Sequence, residues 1–250
     1  AITKYLRNIN PGNANGLTPL HVAAIKGHLS IVEYFVENLN EINPAAGTLY
    51  SNWTPFHMAA QKGYLDIVQY YLEQLPMTNK NPGINGSDVR RQGTTPLHLA
   101  ASNGYLDIVQ AITKYLTNAN PEFGDGCTVL HEAVRNNQLP IVEYLVANLD
   151  DNNPTTCDYY ADNGTIIGYG YSPLHIAAYE GDCDEVLKLM REGTYISPID
   201  VWGKTPLHYA RRRRYGKKND EVARLLLKYG AKDVEPLDNI GRSPQDIYIQ

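Results

Sequence analysis

Thr18-Pro19-Leu20-His21-Val22-Ala23-Ala24-Ile25-Lys26-Gly27 is the stretch on which the fold turns, because the chain writes it again and again. Thr95 to His98 and Thr205 to His208 copy its first four residues. Thr54-Pro55-Phe56-His57, Thr128-Val129-Leu130-His131 and Ser172-Pro173-Leu174-His175 each vary one of them, and Ser243-Pro244 is a degenerate last copy. Successive copies start 36, 41, 33, 44, 33 and 38 residues apart, which is a unit of 33 with insertions. Self-similarity at such a period means stacked helical hairpins in place of one globular core.

Each residue of the unit has a mechanical reason to be there. The Thr18 hydroxyl can cap a helix, and Pro19 can take its first position, where a missing N–H costs nothing. Ala23 and Ala24 are small enough for neighbouring helices to approach closely, and Gly27 ends the helix. Ile31, Val32, Phe35 and Val36 then lay an apolar stripe on a second helix. A glycine stands two residues before the Thr or Ser in every copy but the second, where Asn52 replaces it. Asn is the residue that next best tolerates a left-handed backbone, so a left-handed turn is expected at that position. The pattern predicts two antiparallel helices per repeat and a hairpin-like loop to the next pair. One pair cannot bury its own apolar face, so stability comes mainly from contacts between neighbours.

The motif T-P-L-H, followed by Ala-Ala, a Gly and an Ile-Val run, resembles the ankyrin repeat over nearly the whole chain. That resemblance implies an all-α ankyrin-repeat solenoid of stacked helix-turn-helix units, expected here as a single domain over residues 1–250. A partial repeat would occupy 1–11, repeats 13–43, 49–79, 90–120, 123–153, 167–197 and 200–233, and a partial capping repeat 238–250. Residues 1–11, AITKYLRNINP, nearly duplicate residues 111–121, AITKYLTNANP, so the array is expected to start in mid-repeat with further sequence upstream.

With 43% hydrophobic and 20% charged residues, the chain has the makeup of a folded soluble protein. No apolar run approaches the roughly 20 residues that span a bilayer. Cys127, Cys157 and Cys183 have no metal or redox spacing and cannot all pair with one another, which favours a reducing compartment. The expected location is the cytoplasm, with the nucleus second.

Of the chain's 7 histidines, His21, His57, His98, His131, His175 and His208 hold the fourth motif position. The resemblance implies that they link loop backbone between adjacent repeats. It also accounts for His28, because the family often places a histidine directly after that glycine. None is then left for a base or a metal ligand, and no P-loop, G-x-S-x-G or H-E-x-x-H string occurs. No catalytic residue, cofactor or metal is expected.

In the family so resembled, a partner usually meets the loop tips and the exposed side of the first helix. Here that implies the partner-binding candidates Lys26, Tyr50, Trp53, Gln61, Lys62, Arg91, Asn103, Arg135, Tyr169, Tyr171, Tyr179, Trp202, Lys204, Arg212 and Arg213. Both tryptophans of the chain fall in this set with several tyrosines, and aromatics are enriched in binding hot spots. Lys and Arg dominate its charges although the chain as a whole is −5. The acidic excess maps to second helices, at Glu33, Glu37, Asp66, Glu73, Asp107 and Glu143. Such polarity steers an acidic partner into the groove.

The reading is a non-enzymatic adaptor whose partner is a protein with an acidic or phosphorylated segment. Two alternatives stand beside it: a targeting segment of a larger enzyme, effector or channel, and a binder of a phosphate-rich ligand such as an oligonucleotide. The basic run from Arg211 to Lys218 suits the second, but a pI near 5.8 disfavours nucleic acid. The long loops Lys80 to Val89 and Pro154 to Ile167 are expected to project as fingers.

Overall fold

The computed structural model describes residues 12–38, 47–49, 52–74, 81–84, 92–123, 126–149, 157–160, 166–190, 195–212, 217–232 and 237–247. Its helices come in pairs. In a first compact unit, Ala1–Asn118, these are α1 (Pro19–Lys26) with α2 (Leu29–Asn38), α3 (Pro55–Lys62) with α4 (Leu65–Gln74), and α5 (Pro96–Ser102) with α6 (Leu106–Thr113). A second unit, Ala119–Gln250, holds α7 (Val129–Arg135) with α8 (Leu139–Asn148), α9 (Pro173–Glu180) with α10 (Cys183–Met190), α11 (Pro206–Ala210) with α12 (Lys217–Lys228), and α13 (Pro244–Ile247).

Within each unit, first helices pack on first helices and second on second: α1 on α3 and α3 on α5, α7 on α9 and α9 on α11, with α4 touching α2 and α6, and α10 touching α8 and α12. The layers are helical throughout, as the repeat pattern predicts. Among the described residues, strand pairing is confined to two loop ladders. β1 (Glu122–Phe123) pairs antiparallel with β2 (Cys127–Thr128), and β3 (Cys157–Tyr160) with β4 (Ile166–Tyr171). The second ladder is the long insertion after α8, which forms a hairpin. The other long insertion is described only at its base, where the Ile84 and Thr94 backbones pair and the Ile84 side chain is buried.

The caps explain where the first helices begin. In α1, α3, α5, α7 and α9 the Thr or Ser before the helix accepts the N–H of the motif histidine, and the histidine ring reaches back to the cap. This reciprocal arrangement satisfies amide groups that a helix start leaves orphaned. Two positions before each cap the backbone is left-handed: Gly16, Gly93, Gly126, Gly170, Gly203 and Gly241 have φ between 68° and 85°, and Asn52 has φ 53°. The single asparagine in the series therefore adopts the conformation that the glycines do.

The alanine pairs do what their size allows. Ala23 and Ala24, Ala59 and Ala60, Ala100 and Ala101, and Ala177 and Ala178 are all buried where first helices meet. Leu20, Phe56, Leu97, Leu130, Leu174 and Leu207, each at the third motif position, are at most 1% exposed. Burying one such side chain stabilises by about 1.5–3 kcal/mol.

Candidate interaction surface

The motif histidines join neighbouring repeats. His21 Nε2 lies 2.9 Å from the Trp53 carbonyl and His57 Nε2 3.3 Å from that of Thr94. In the second unit, His131, His175 and His208 reach the carbonyls of Tyr171, Lys204 and Arg242 at 2.9, 3.0 and 3.1 Å. Each ring's Nδ1 faces the backbone N–H of its own cap residue, at 3.2 Å for Thr18 and 3.1 Å for Ser172. A nitrogen that accepts an N–H carries no proton, so these rings are neutral with the hydrogen on Nε2, which donates to the next repeat. Burial holds His57 and His175 down at about 4, against a partial upward pull from the accepting carbonyls. His208 is lowered for the same reason.

The accepting carbonyl always belongs to the residue just before the next cap, which draws that position inward. Trp53 and Lys204 are half-buried there, and Thr94 and Tyr171 are buried. Tyr171 is fully buried: its ring stacks on His175 at 5.5 Å and meets Tyr209 edge-on at 4.8 Å. Tyr179 is only 5% exposed, and its ring meets Tyr209 edge-on at 6.3 Å. The expectation that Tyr171 and Tyr179 stand out as exposed anchors is thus corrected. The reason is Tyr209, a bulky aromatic on the neighbouring first helix that closes over both.

The basic candidates fare differently. Lys26 and Lys62 end α1 and α3 and are exposed, as are Arg135 at the end of α7, which faces Glu132 at 3.9 Å, and Arg212 just past α11. Asn103 caps α5 and spends its Nδ2 on the Leu99 carbonyl, while Gln61 is half-buried. Trp53 lies 6.0 Å from the His57 ring. Trp202 is half-buried beneath the Lys204 ammonium, which sits 5.4 Å from its ring centroid. Tyr50, Arg91 and Arg213, and the side chain of Tyr169, lie outside the described residues. On the second helices of the first unit Glu37, Asp66, Glu73 and Asp107 are exposed, so its two helix layers carry opposite charge. In the second unit Glu143 pairs with Lys188 and α12 exposes Lys217, Lys218, Arg224 and Lys228, so the division does not hold there.

Sequence reading missed three residues of this surface. Asp200 accepts the Trp202 and Lys204 N–H groups and the Tyr209 hydroxyl. Asp238 does the same work one repeat later for Ile240 and Arg242. An Asx residue five positions before the cap is the signal, visible also at Asn13, whose Oδ1 accepts Asn15 and Leu17 N–H groups. Tyr209 announces itself only as the one aromatic directly after a motif histidine.

The cysteines need a second correction. Cys127 is buried and disulfide-bonded, whereas Cys183 is a free thiol whose pKa is raised by burial and then by Glu221, Asp182 and Asp184. Spacing alone shows no redox motif and favours a reducing compartment, and it does not announce this disulfide. The hairpin that opens at Cys157 runs alongside β2, a proximity that spacing does not reveal. Among the described residues no cluster of His, Cys, Asp or Glu is arranged to hold a metal ion, and no helix is long and apolar enough to cross a membrane.

A family profile described as ankyrin repeats (3 copies) matches residues 1–82, 77–156 and 147–238. Among solved structures, the crystal structure of the human ASB11 ankyrin repeat domain resembles this one with a TM-score of 0.65 at 26% identity, over 92% of this chain and 90% of that one. No curated protein sequence matches the chain significantly.

Proposed function

The chain belongs to the ankyrin-repeat family, whose arrays are in general protein-interaction modules without catalysis of their own, and from that premise we propose a non-enzymatic adaptor. It holds an acidic or phosphorylated segment of a partner protein against its first helices and finger turns. The observation that carries this reading is the charge polarity of the first unit. Lys26 and Lys62 are exposed at its first-helix ends, while its second helices expose Glu37, Asp66, Glu73 and Asp107. In the second unit Arg135 and Arg212 continue the basic first-helix ends. Like charge on the second helices repels an acidic segment, and the first-helix side attracts it.

The histidines support the same view, since each motif ring with a located partner is spent on the neighbouring repeat. A partner isolated by affinity capture and confirmed by direct titration provides the test. Lys62→Glu and Arg135→Glu should slow its association several-fold, and the loss should shrink as salt rises. Retained affinity in both, with loss on Asp66→Lys and Glu143→Lys, would place the partner on the second helices and refute the proposal.

A further inference from the structure

Residues 200–205 and 238–243 form two like turns in the second unit. In the first, Asp200 Oδ1 accepts the Trp202 and Lys204 N–H groups at 2.9 and 2.8 Å, and Oδ2 accepts the Tyr209 hydroxyl. In the second, Asp238 Oδ1 accepts the Ile240 and Arg242 N–H groups at 3.0 and 2.9 Å, and Oδ2 holds the Arg242 guanidinium at 3.0 Å. Asn239 ties the turns together, its N–H on the Trp202 carbonyl at 2.7 Å and its Nδ2 on the Val201 carbonyl at 2.8 Å. Both buried carboxylates are therefore committed to the scaffold.

Lys204 has no such commitment. Its ammonium sits over the rings of Trp202 and Tyr209, at 5.4 and 5.8 Å from their centroids, and forms no ion pair among the described residues. Burial disfavours its charge, Asp200 favours it, and Arg212 and Arg242 oppose it. Arg242 is neutralised by Asp238, but Arg212 is exposed and likewise unpaired. An ammonium half-withdrawn from water, cradled by two aromatic faces and within electrostatic reach of a second free cation, is a site that suits an anion. Beside it, Val201 is 58% and Ile240 72% exposed, on turns that the Asn239 bonds hold rigidly.

We propose that Lys204 and Arg212 receive a carboxylate side chain of an acidic protein segment, whose neighbouring apolar side chain packs on Val201, Trp202 and Ile240. A carboxylate suits the site better than a phosphate. Phosphate sites draw on free backbone N–H groups, and here Trp202, Gly203, Lys204, Asn239, Ile240, Gly241 and Arg242 have all given theirs to the turns.

This inference rests on the interaction-module reading and names the chemistry of one of its subsites. The test is selection of random dodecapeptides displayed on phage against the intact chain, followed by fluorescence polarisation of the selected peptides in synthetic, labelled form. The expected consensus is Glu or Asp beside an aliphatic or aromatic residue. Lys204→Met should weaken binding about tenfold or more while Lys204→Arg retains most of it. Replacing the peptide's Glu by Gln should cost as much, with little further loss on Lys204→Met, because the two changes remove one interaction. Should Lys204→Met lower the melting temperature, comparison of Lys204→Arg with Lys204→Met at matched folded fraction decides.

Peptides without an acidic residue, no selected peptide at all, or equal binding to Lys204→Met would each overturn the inference. So would tighter binding when phosphoserine replaces the Glu. Peptides sensitive to Lys62→Glu but not to Lys204→Met overturn it and leave the adaptor reading in place. Peptides sensitive only to second-helix changes such as Glu143→Lys overturn both.

Discussion

Glu185 makes the second unit less stable at neutral pH than it need be, and exchanging it for glutamine should show this directly. It lies on α10 with 1% exposure, and its Oε1 has no hydrogen-bond partner. Asp182-Cys183-Asp184-Glu185 has the spacing of a capping box, and Asp182 does accept the Asp184 and Glu185 N–H groups, both at 3.0 Å. The reciprocal Glu, however, is folded inward. Burial, then Asp182, then Glu180 push its carboxyl up from 4.5 to about 9. A folded-state value above the unfolded one means that stability is greatest below pH 4.5 and declines as pH rises towards 9. At pH 7 the gap from 4.5 is roughly 2.5 units, and at about 1.4 kcal/mol per unit the fold gives up about 3 kcal/mol. Glu185→Gln removes the titration and keeps the shape. Allowing for its own unpartnered amide oxygen, it should stabilise the second unit by about 2 kcal/mol at pH 7, on the order of 6–8 °C in melting temperature. Thermal melts followed by circular dichroism at pH 4.5 and pH 8 provide the assay. The gain should be near zero at the lower pH and largest at the higher. A gain that is equal at both, or a variant that melts lower at pH 8, would refute the account.

Three further outcomes follow from the same geometry. His57 titrates at about 4 when folded against 6.5 when unfolded, so its stabilisation is complete above pH 6.5 and is lost as pH falls towards 4; by pH 5 the first unit should lose roughly 2 kcal/mol, and melts of the Glu185→Gln chain that stay flat from pH 7 to 4.5 would contradict this. Gly63 has φ 82°, and a Cβ there would lie 2.6 Å from the Tyr105 ring, so Gly63→Ala should cost about 2 kcal/mol or more in denaturant titration, and a cost below ~0.5 kcal/mol would rule out the close approach. Titration of thiols in unfolded, unreduced protein should find one free thiol, that of Cys183, because Cys127 is disulfide-bonded; three would deny the disulfide.

What the sequence determined by itself is whatever depends on neighbours a few residues away. A Thr three residues before a His builds its own reciprocal cap, Pro19 suits a first helical turn wherever it occurs, and a residue that must be left-handed is a Gly or, at Asn52, an Asn. Such local interactions recur from copy to copy, which is why the repeats, the helix starts and the structural role of the histidines were legible in one chain. The charge division between the helix layers of the first unit was legible for the same reason, since helical phase alone assigns the faces. Tertiary structure decided everything that needs a specific neighbour from another repeat. Tyr171 and Tyr179 occupy positions that the repeat pattern exposes, yet Tyr209 from the next first helix closes over them. Glu185 reads as a helix-start carboxylate but is buried and neutral, and Cys127 is held in a disulfide that spacing along the chain does not announce. Lys204 reads as one more surface cation, and only the aromatic rings beneath it and the committed carboxylates beside it make it a site. Burial and pairing are properties of what packs against a residue, and in a repeat array that neighbour lies some thirty residues away, where no local pattern specifies its side chain.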